Sequence, residues 1–539
     1  MHITRVYIDG FKRLTNFDME LNEKLNVVVG DNETGKTSVL EAINLVLTRR
    51  YDGRTIDYTL DPYLFNTERV AQYFEALRGG KFISPPSILI EAYFSDDLGD
   101  PEMGKLKGTH NHEHMECPGL QLVIEPNNEY TDELKEYVRD VHNPEVIPVE
   151  YYSVRWQSFK GDSIKARTAP LNAKLIDTSI ARTYHGPNKY VAQIVNDDLS
   201  DEQRNKLSLA YKKLRHDFAN GDGVKSINEL LEQKHQAGTG RKLTVQMDMS
   251  SRSSWESAIT PHLDDLPFDC VGKGEQCRVQ MRVAIAGAAK SRVLLIEEPE
   301  NHLSHSNMSK LMAEIAEQCD SKHQVILSTH SAFVLNKLGL NNLRLISHDC
   351  KTAALTDLEP DTEEYFKKLP GYDTLRLILS KRSILVEGPS DELIVQRAYK
   401  DKHGKLPLED GVDVISVYGL AFKRFLEIAA LLKLEVCVVT DNDGDVTARK
   451  SKYEGYINGE YPNIKVCYDE DENYPTLEPQ LLKANSLTVL NTILGTTHAD
   501  DKALLKFMRA KENKTDCALK MFATDKAWAT PGYIADAIK

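Results

Sequence analysis

The sequence predicts an α/β protein built on buried parallel sheets and divided into two unequal units. Short apolar runs at 25–29, 293–296, 325–328, 383–386, 412–417 and 436–440 have strand length and lack the alternation of a half-exposed strand. Helical stretches lie between them, such as 36–47, where Val39, Leu40, Ile43 and Leu47 share one face. Continuous apolar strands between helices belong to sheets covered on both faces. At 539 residues the chain exceeds the roughly 250–300 over which one core usually grows, so two or three domains are expected.

Taken in order, residues 3–8 alternate as a strand and turn at Asp9 and Gly10, and the run 25–29 leads into Gly30. A strand at 87–94 follows, and 98–118, rich in Gly, His and Glu, reads as an exposed hairpin or loop. Ser200 with Gln203 makes a capping box, after which Leu207, Tyr211, Leu214 and Phe218 trace a helical stripe. Strand character returns at 243–247. The expected boundaries are a first unit formed by 1–169 and 241–372, a helical insertion at 170–240, and a second α/β unit at 381–539.

Composition narrows the class. The chain is 41% hydrophobic and 27% charged, ordinary for a globular protein, and no apolar run approaches the ~20 residues that span a bilayer. No cleavable leader precedes the first strand, so a cytoplasmic protein without membrane contact is expected. The eight cysteines form no CxxC pair, which argues against a disulfide framework and a zinc finger. A net charge of −14 gives no support to nucleic-acid binding, although a local basic channel can coexist with an acidic remainder.

The segment from Gly30 to Thr37 reads GDNETGKT and matches GxxxxGK[ST] between a strand and a helix. Small residues let backbone N–H groups wrap phosphates, and the helix N-terminus favours negative charge. Gly30, Asn32, Gly35, Lys36, Thr37 and Ser38 are therefore the candidate phosphate-binding residues, with Lys36 on the β/γ-phosphates and Thr37 on Mg²⁺. Downstream, the apolar run at 293–296 delivers Glu297 and Glu298, assigned to the metal and to the base that polarises the attacking water. Thirty-two residues beyond Glu298, a strand ends at His330, where an imidazole would sense a γ-phosphate.

These parts, in this order, resemble the ABC-type ATPases of the structural-maintenance and recombination-repair kind. Glu300, Asn301, His302 and Leu303 look like the D-loop of that family, and the GKGEQ stretch at 272–276 looks like its signature motif, with Gly274 facing nucleotide. Two departures stand out: Glu297 replaces the usual Asp, and the signature lacks its Leu-Ser start. Nucleotide binding is thus the firmer expectation than fast hydrolysis. In that family one protomer's signature completes the other's site, which implies at least a dimer.

The second unit carries its own acids. Glu387 closes one apolar strand just before Gly388, and Asp441 and Asp443 follow another, 54 residues on. In extended backbone such i, i+2 side chains share a face, so the pair is expected to look into one pocket. Asp391 and Glu478 are further candidate ligands, and hard oxygen donors suit Mg²⁺ or Mn²⁺. Two such ions can drive phosphodiester hydrolysis, with Lys514 as the accompanying cation.

Glu-Gly plus Asp-x-Asp, each closing an apolar strand at βαβ spacing, resembles the TOPRIM module, a Rossmann-like metal-binding domain. An ABC-type ATPase with a helical insertion, followed by a TOPRIM domain, resembles the OLD (overcoming lysogenisation defect) nuclease family, which includes the Gabija nuclease subunit. Tyr418-Gly419, Phe422-Lys423 and the Asn513-Lys514 segment fit that family's spacing. The resemblance implies an insertion that dimerises and ATP-controlled, metal-dependent DNA cleavage, usually in defence against phage. It also implies possible partners: a helicase-like protein, or a retron reverse transcriptase with its DNA–RNA product. A sensor or scaffold ATPase whose second unit binds DNA or a partner without cutting is the rival reading.

Three weaker signals remain. His110, His112, His114 and Cys117 match no zinc spacing. Arg155, Lys160, Lys165, Arg167 and Lys174, with Tyr151, Tyr152 and Trp156, make a basic and aromatic stretch that fits either DNA phosphates or a solvated face. Lys12 and Arg13 are placed beside nucleotide or DNA.

Overall fold

The computed structural model describes residues 1–539 apart from 82, 97–102, 141–145, 166–168, 178–198, 236–243, 247–254, 256–259, 288–291, 302, 321–322, 420 and 458. Arg167, His302 and residues 243 and 247 lie outside the described residues, and 244–246 form no strand where strand character was expected. Among the described residues no helix is long and apolar enough to cross a membrane.

The first unit opens with strands β1 (Ile3–Asp9), β2 (Phe17–Glu20) and β3 (Leu25–Val29) and helix α1 (Lys36–Thr48). Strands β4 (Ile88–Phe94), β5 (Cys117–Pro126), β6 (Tyr152–Ser158) and β7 (Ala173–Asp177) follow, then helices α2 (Asp201–Ala219) and α3 (Asp222–His235). The unit is completed by α4 (Lys273–Gly287), β8 (Val293–Glu297), α5 (His305–Asp320), β9 (Gln324–Ser328), α6 (Ala332–Leu338), β10 (Leu343–Ile346) and β11 (Thr352–Ala354).

Two sheets result. One is antiparallel, β2-β1-β4-β5 with β6 also on β5; the other runs β7-β8-β9-β3-β10-β11 and is parallel up to its last strand. Helix α1 lies between them, and its Val39, Leu40, Ile43 and Leu47 join Ile90 and Leu122 of one sheet to Leu295 and Ile326 of the other in a single core. Two buried polar side chains pin this sandwich. Trp156 donates its indole N–H to the Val46 carbonyl at 2.7 Å. Gln324 accepts from the Ile3 N–H at 2.9 Å and donates to the carbonyls of Ile3 and Asn22 at 2.7 and 2.8 Å.

The second unit is a four-stranded, wholly parallel sheet reached through helix α7 (Thr374–Leu379). In chain order it contains β12 (Arg382–Val386), α8 (Pro389–His403), β13 (Val412–Ser416), α9 (Phe422–Leu431), β14 (Glu435–Val439), α10 (Val446–Ile457) and β15 (Ile464–Cys467). The strands pair in the order β13-β12-β14-β15. Beyond it, α11 (Leu477–Ala484), α12 (Lys514–Ala523) and α13 (Gly532–Ala537) pack back toward the sheet. One apolar cluster runs from Val27 and Leu294 of the first unit to Leu385, Phe425 and Val438 of the second, so the two sheets share a core.

The α/β class holds, with two refinements. Residues 173–177 pair in parallel with β8 and belong to the nucleotide unit's sheet, so the insertion begins beyond 177 rather than at 170. This strand borders one neighbour and is short and mixed in polarity, which hides it from an apolar-run reading. The loop at 98–118 does carry a hairpin, since Lys107–Gly108 pairs with the start of β5. The Ser200–Gln203 capping box is present as read.

Replacing Gln324 with Ala strands the buried groups of Ile3 without partners. The expected loss is on the order of 2–3 kcal/mol, read as a lower urea midpoint, whereas an equal midpoint would show that these bonds do not hold the sheets together.

Candidate functional site

Strand β3 is buried along its whole length and releases the chain at Gly30. A side chain at Gly30 would collide with the Ile346 carbonyl, 2.6 Å from where its Cβ would stand, and Gly35 sits at φ +98°, a left-handed conformation suited to glycine. The loop therefore turns tightly into α1. Lys36 is buried, and its ammonium donates to the carbonyls of Gly30 and Asp31 at 2.9 and 2.7 Å. Burial lowers its pKa, against the opposing pull of Glu298, Asp31, Glu297 and Glu300.

Parallel pairing brings the other groups alongside. Glu297 ends β8 level with Ser328 of β9 and accepts a hydrogen bond from the Thr37 hydroxyl. Glu298 stands at φ +42°, with one carboxylate oxygen 3.0 Å from His330 Nε2 and the other accepting from Asn301 Nδ2 at 2.9 Å. A cleft of about 510 Å³ is lined by Lys12, Arg13, Asn32, Gly35, Lys36, Thr37, Ser38, Glu298 and His330 among others, within the range of small-molecule sites. Gly274 lies in the first turn of α4 and is not among those lining residues.

Sequence reasoning did not single out the role of Glu300 at this edge. Its buried carboxylate accepts from the Thr329 hydroxyl and the His330 N–H, both at 2.7 Å, and burial raises its pKa. It thereby holds the backbone that carries His330.

The second cluster stands at the carboxyl ends of β12 and β14. Glu387 accepts from the Thr440 hydroxyl at 2.7 Å and the Asp441 N–H at 3.1 Å. Asp391, in the first turn of α8, has its pKa pushed up to about 7 by burial and then by Glu387. Asp441 is pushed up to about 9 by burial, then by Asp391, Glu387 and Glu478. Glu478 is buried at the start of α11 and pairs with Lys514 at 3.1 Å. Burial opposes the charge on Lys514, but Glu478, Asp391 and Asp441 outweigh it and raise its pKa. Glu387, Asp391, Asp441, Glu478 and Lys514 thus form one electrostatic group.

Asp443 departs from the expected shared face. The strand ends at Val439, and Asp443 adopts φ +53° in a turn whose N–H bonds the Pro475 carbonyl at 3.1 Å, so alternation no longer applies. Its carboxylate pairs with Arg449. Lys452 lies beyond, its pKa lowered by burial and then by Arg449, with Lys423 adding to the effect. Lys423, Arg449 and Lys452 thus interleave positive charge with Glu387 and Asp443, and Arg449 is buried in its pair with Asp443.

Several of the weaker signals make contacts within the fold, while Lys12 and Arg13 also line the nucleotide cleft. His110 bonds the Phe159 carbonyl, and His112 pairs with the fully buried Glu91 at 2.7 Å. Trp156 is a core residue, and Arg155 pairs with Glu125 at 2.9 Å. Lys12 pairs with Glu41, while Arg13 donates to the His348 carbonyl at 3.0 Å.

Among the described residues no three acidic, histidine or cysteine side chains already close into a finished metal shell. The donor chemistry of the second cluster nonetheless fits a divalent cation. Hard carboxylates stand together with one lysine, and burial first, then the neighbouring carboxylates, raise the proton affinities of Asp391 and Asp441.

Comparisons with known proteins bear on both halves. Residues 378–443 match the family described as overcoming lysogenization defect protein-like, TOPRIM domain. Residues 1–76 match an AAA ATPase domain family, and 167–336 match a second AAA-domain family. The Old nuclease of Escherichia phage P2 is 24% identical over 195 residues, 34% of this chain and 33% of that protein. The DNA replication and repair protein RecF of Clostridium acetobutylicum is 40% identical over 43 residues, 8% of this chain and 12% of that protein. The chain therefore spans a third or less of the length of these curated relatives. The C-terminal region of the Burkholderia pseudomallei OLD protein aligns at 21% identity with a TM-score of 0.24, over 30% of this chain and 95% of that one.

The raised acids make a pH prediction. In the folded chain Asp391 and Asp441 hold their protons above the ordinary value of 3.8, so their stabilising contribution is complete below about pH 4 and is lost as pH rises toward 7 and 9. With a chelator present, the melting temperature is expected to fall between pH 6 and 9, and less steeply in Asp441→Asn. Identical slopes in both proteins would refute this electrostatic account.

Proposed function

We propose that this chain, an ATPase–TOPRIM protein of the OLD family, is an ATP-regulated, divalent-metal-dependent DNA endonuclease that serves in defence against phage. The observation that carries this reading is the group Glu387, Asp391, Asp441, Glu478 and Lys514 at the ends of two parallel strands, on the same chain as a phosphate-binding loop. Divalent cations, Mg²⁺ or Mn²⁺, held by these carboxylates would supply Lewis-acid charge to a phosphodiester and its departing oxygen. Thr440 and the Asp441 backbone orient Glu387, and Lys514 adds fixed positive charge. Lys423 and Lys452 would offer DNA phosphates a cationic approach, with Arg449 held beneath by Asp443.

At the first site, Gly30, Asn32, Gly35, Lys36, Thr37 and Ser38 would hold the phosphates of ATP, with Thr37 and Glu297 as the metal ligands. Asn301 and His330 fix both oxygens of Glu298, which suits it to orient an attacking water. By the resemblance to ABC-type ATPases, the signature around Gly274 would complete the site of a second copy. Leu214 and Phe218 on α2, 64% and 60% exposed, with Ile227 and Leu230 on α3, offer the apolar face for such a dimer.

In a plasmid-cleavage assay with Mg²⁺ or Mn²⁺, with and without ATP, wild type is expected to nick or linearise DNA. Glu387→Ala should reduce the rate at least 100-fold, and Lys36→Ala should weaken ATP binding about tenfold or more and remove the response of cleavage to ATP. Intact plasmid under every metal and nucleotide condition would reject a self-sufficient nuclease. Light scattering should give a dimer or larger assembly that Leu214→Asp with Phe218→Asp converts to monomer; a monomeric wild type would reject the shared site.

A further inference from the structure

The C-terminal helix α13 brings a phenol beneath the acid cluster. Tyr533 packs with Val386, Val439, Leu477 and Met521 in the core of the second unit. Helix α13 rests on β14, which leads into Asp441, and on α8, which carries Asp391. The residue is 5% exposed, and its hydroxyl is buried without a hydrogen-bond partner among the described residues. The charges that bear on that hydroxyl are Asp441, Asp391, Glu387 and Glu478, in descending order.

A phenylalanine would fill this space without stranding a polar atom, and a buried hydroxyl with no partner carries its full desolvation penalty. A phenol keeps its proton at neutral pH and acts toward a carboxylate as a donor. Its strongest electrostatic neighbour is Asp441, which stands at the end of the strand that α13 covers.

We propose that Tyr533 is a positioning residue for the cation site: its hydroxyl donates to the Asp441 carboxylate and fixes the oxygen that Asp441 presents to a divalent cation. This rests on the metal-dependent reading above. The bond is made when Asp441 turns to its ligand, which explains why an otherwise unsatisfied hydroxyl is kept in the core. Hydrogen bonds of this kind orient ligands and set their basicity, and their loss typically weakens metal binding about 10–100-fold.

The test is calorimetric titration of the full-length, nucleotide-free protein with Mn²⁺, comparing wild type, Tyr533→Phe and Glu387→Ala. Tyr533→Phe is expected to melt at or above the wild-type temperature, because it removes a stranded hydroxyl, yet to bind Mn²⁺ about tenfold more weakly. In DNA cleavage the same variant should need more Mn²⁺ for half-maximal rate, with the rate at saturating Mn²⁺ and the KM for DNA unchanged. A purely structural tyrosine would instead lower the rate at every Mn²⁺ concentration. Unaltered Mn²⁺ affinity in Tyr533→Phe, with Glu387→Ala impaired, overturns the inference and leaves the metal reading standing. Wild type that binds no Mn²⁺, or Glu387→Ala that binds it normally, overturns the reading and the inference together.

Discussion

Parallel strands buried on both faces leave ionised side chains little room except at the strand ends, and both candidate centres depend on that constraint. A carboxylate placed within β8 or β12 would lose its hydration with no partner to replace it. Just past the last apolar residue the sheet opens, and every parallel strand opens on the same edge. The register aligns Glu297 with Ser328, and it sets Val28 level with Ser328 on the other side, so the phosphate-binding loop, the carboxylate pair and His330 emerge together. In the second unit β12 and β14 bring Glu387 and Asp441 to the same edge by the same means.

The two centres differ in how their charge is balanced. Around the nucleotide cleft Thr37 holds Glu297, and Asn301 with His330 holds Glu298. These acids are already oriented by neutral or weakly basic partners. In the second centre Lys514 faces several carboxylates, and burial followed by their mutual repulsion makes two of them bind protons more tightly. Such crowding is costly in a resting fold and is relieved by added positive charge, so the strain itself indicates the kind of ligand that belongs there.

The units are not independently cored. Apolar side chains run without a break from β3 and β8, through α7, to β12, β14 and α9. Arg376 of α7 reinforces the joint by pairing with Asp413 on β13 at 2.6 Å. Close-packed interiors transmit displacement rather than absorb it. This continuous core joins the two sheets whose ends carry the nucleotide cleft and the acid cluster.

The strand–loop–helix of the phosphate site, the apolar strands that carry Glu297, Glu387 and Asp441, and the capped helix after Ser200 are legible in the order of amino acids alone. Those signals are local: glycine spacing, apolar runs and capping pairs need no distant neighbour to be read. Only the tertiary structure decided that 173–177 joins the first sheet, since an edge strand of mixed polarity acquires its meaning from the strand beside it. Tertiary contacts also turned Asp443 away to Arg449, through a left-handed residue where extended backbone was expected. They set Glu300 behind His330 and brought helix α13, with Tyr533, against the strand that leads into Asp441, neighbours across long stretches of chain that no spacing encodes. Local chemistry specifies which groups stand at strand ends, whereas packing and register determine which of them meet.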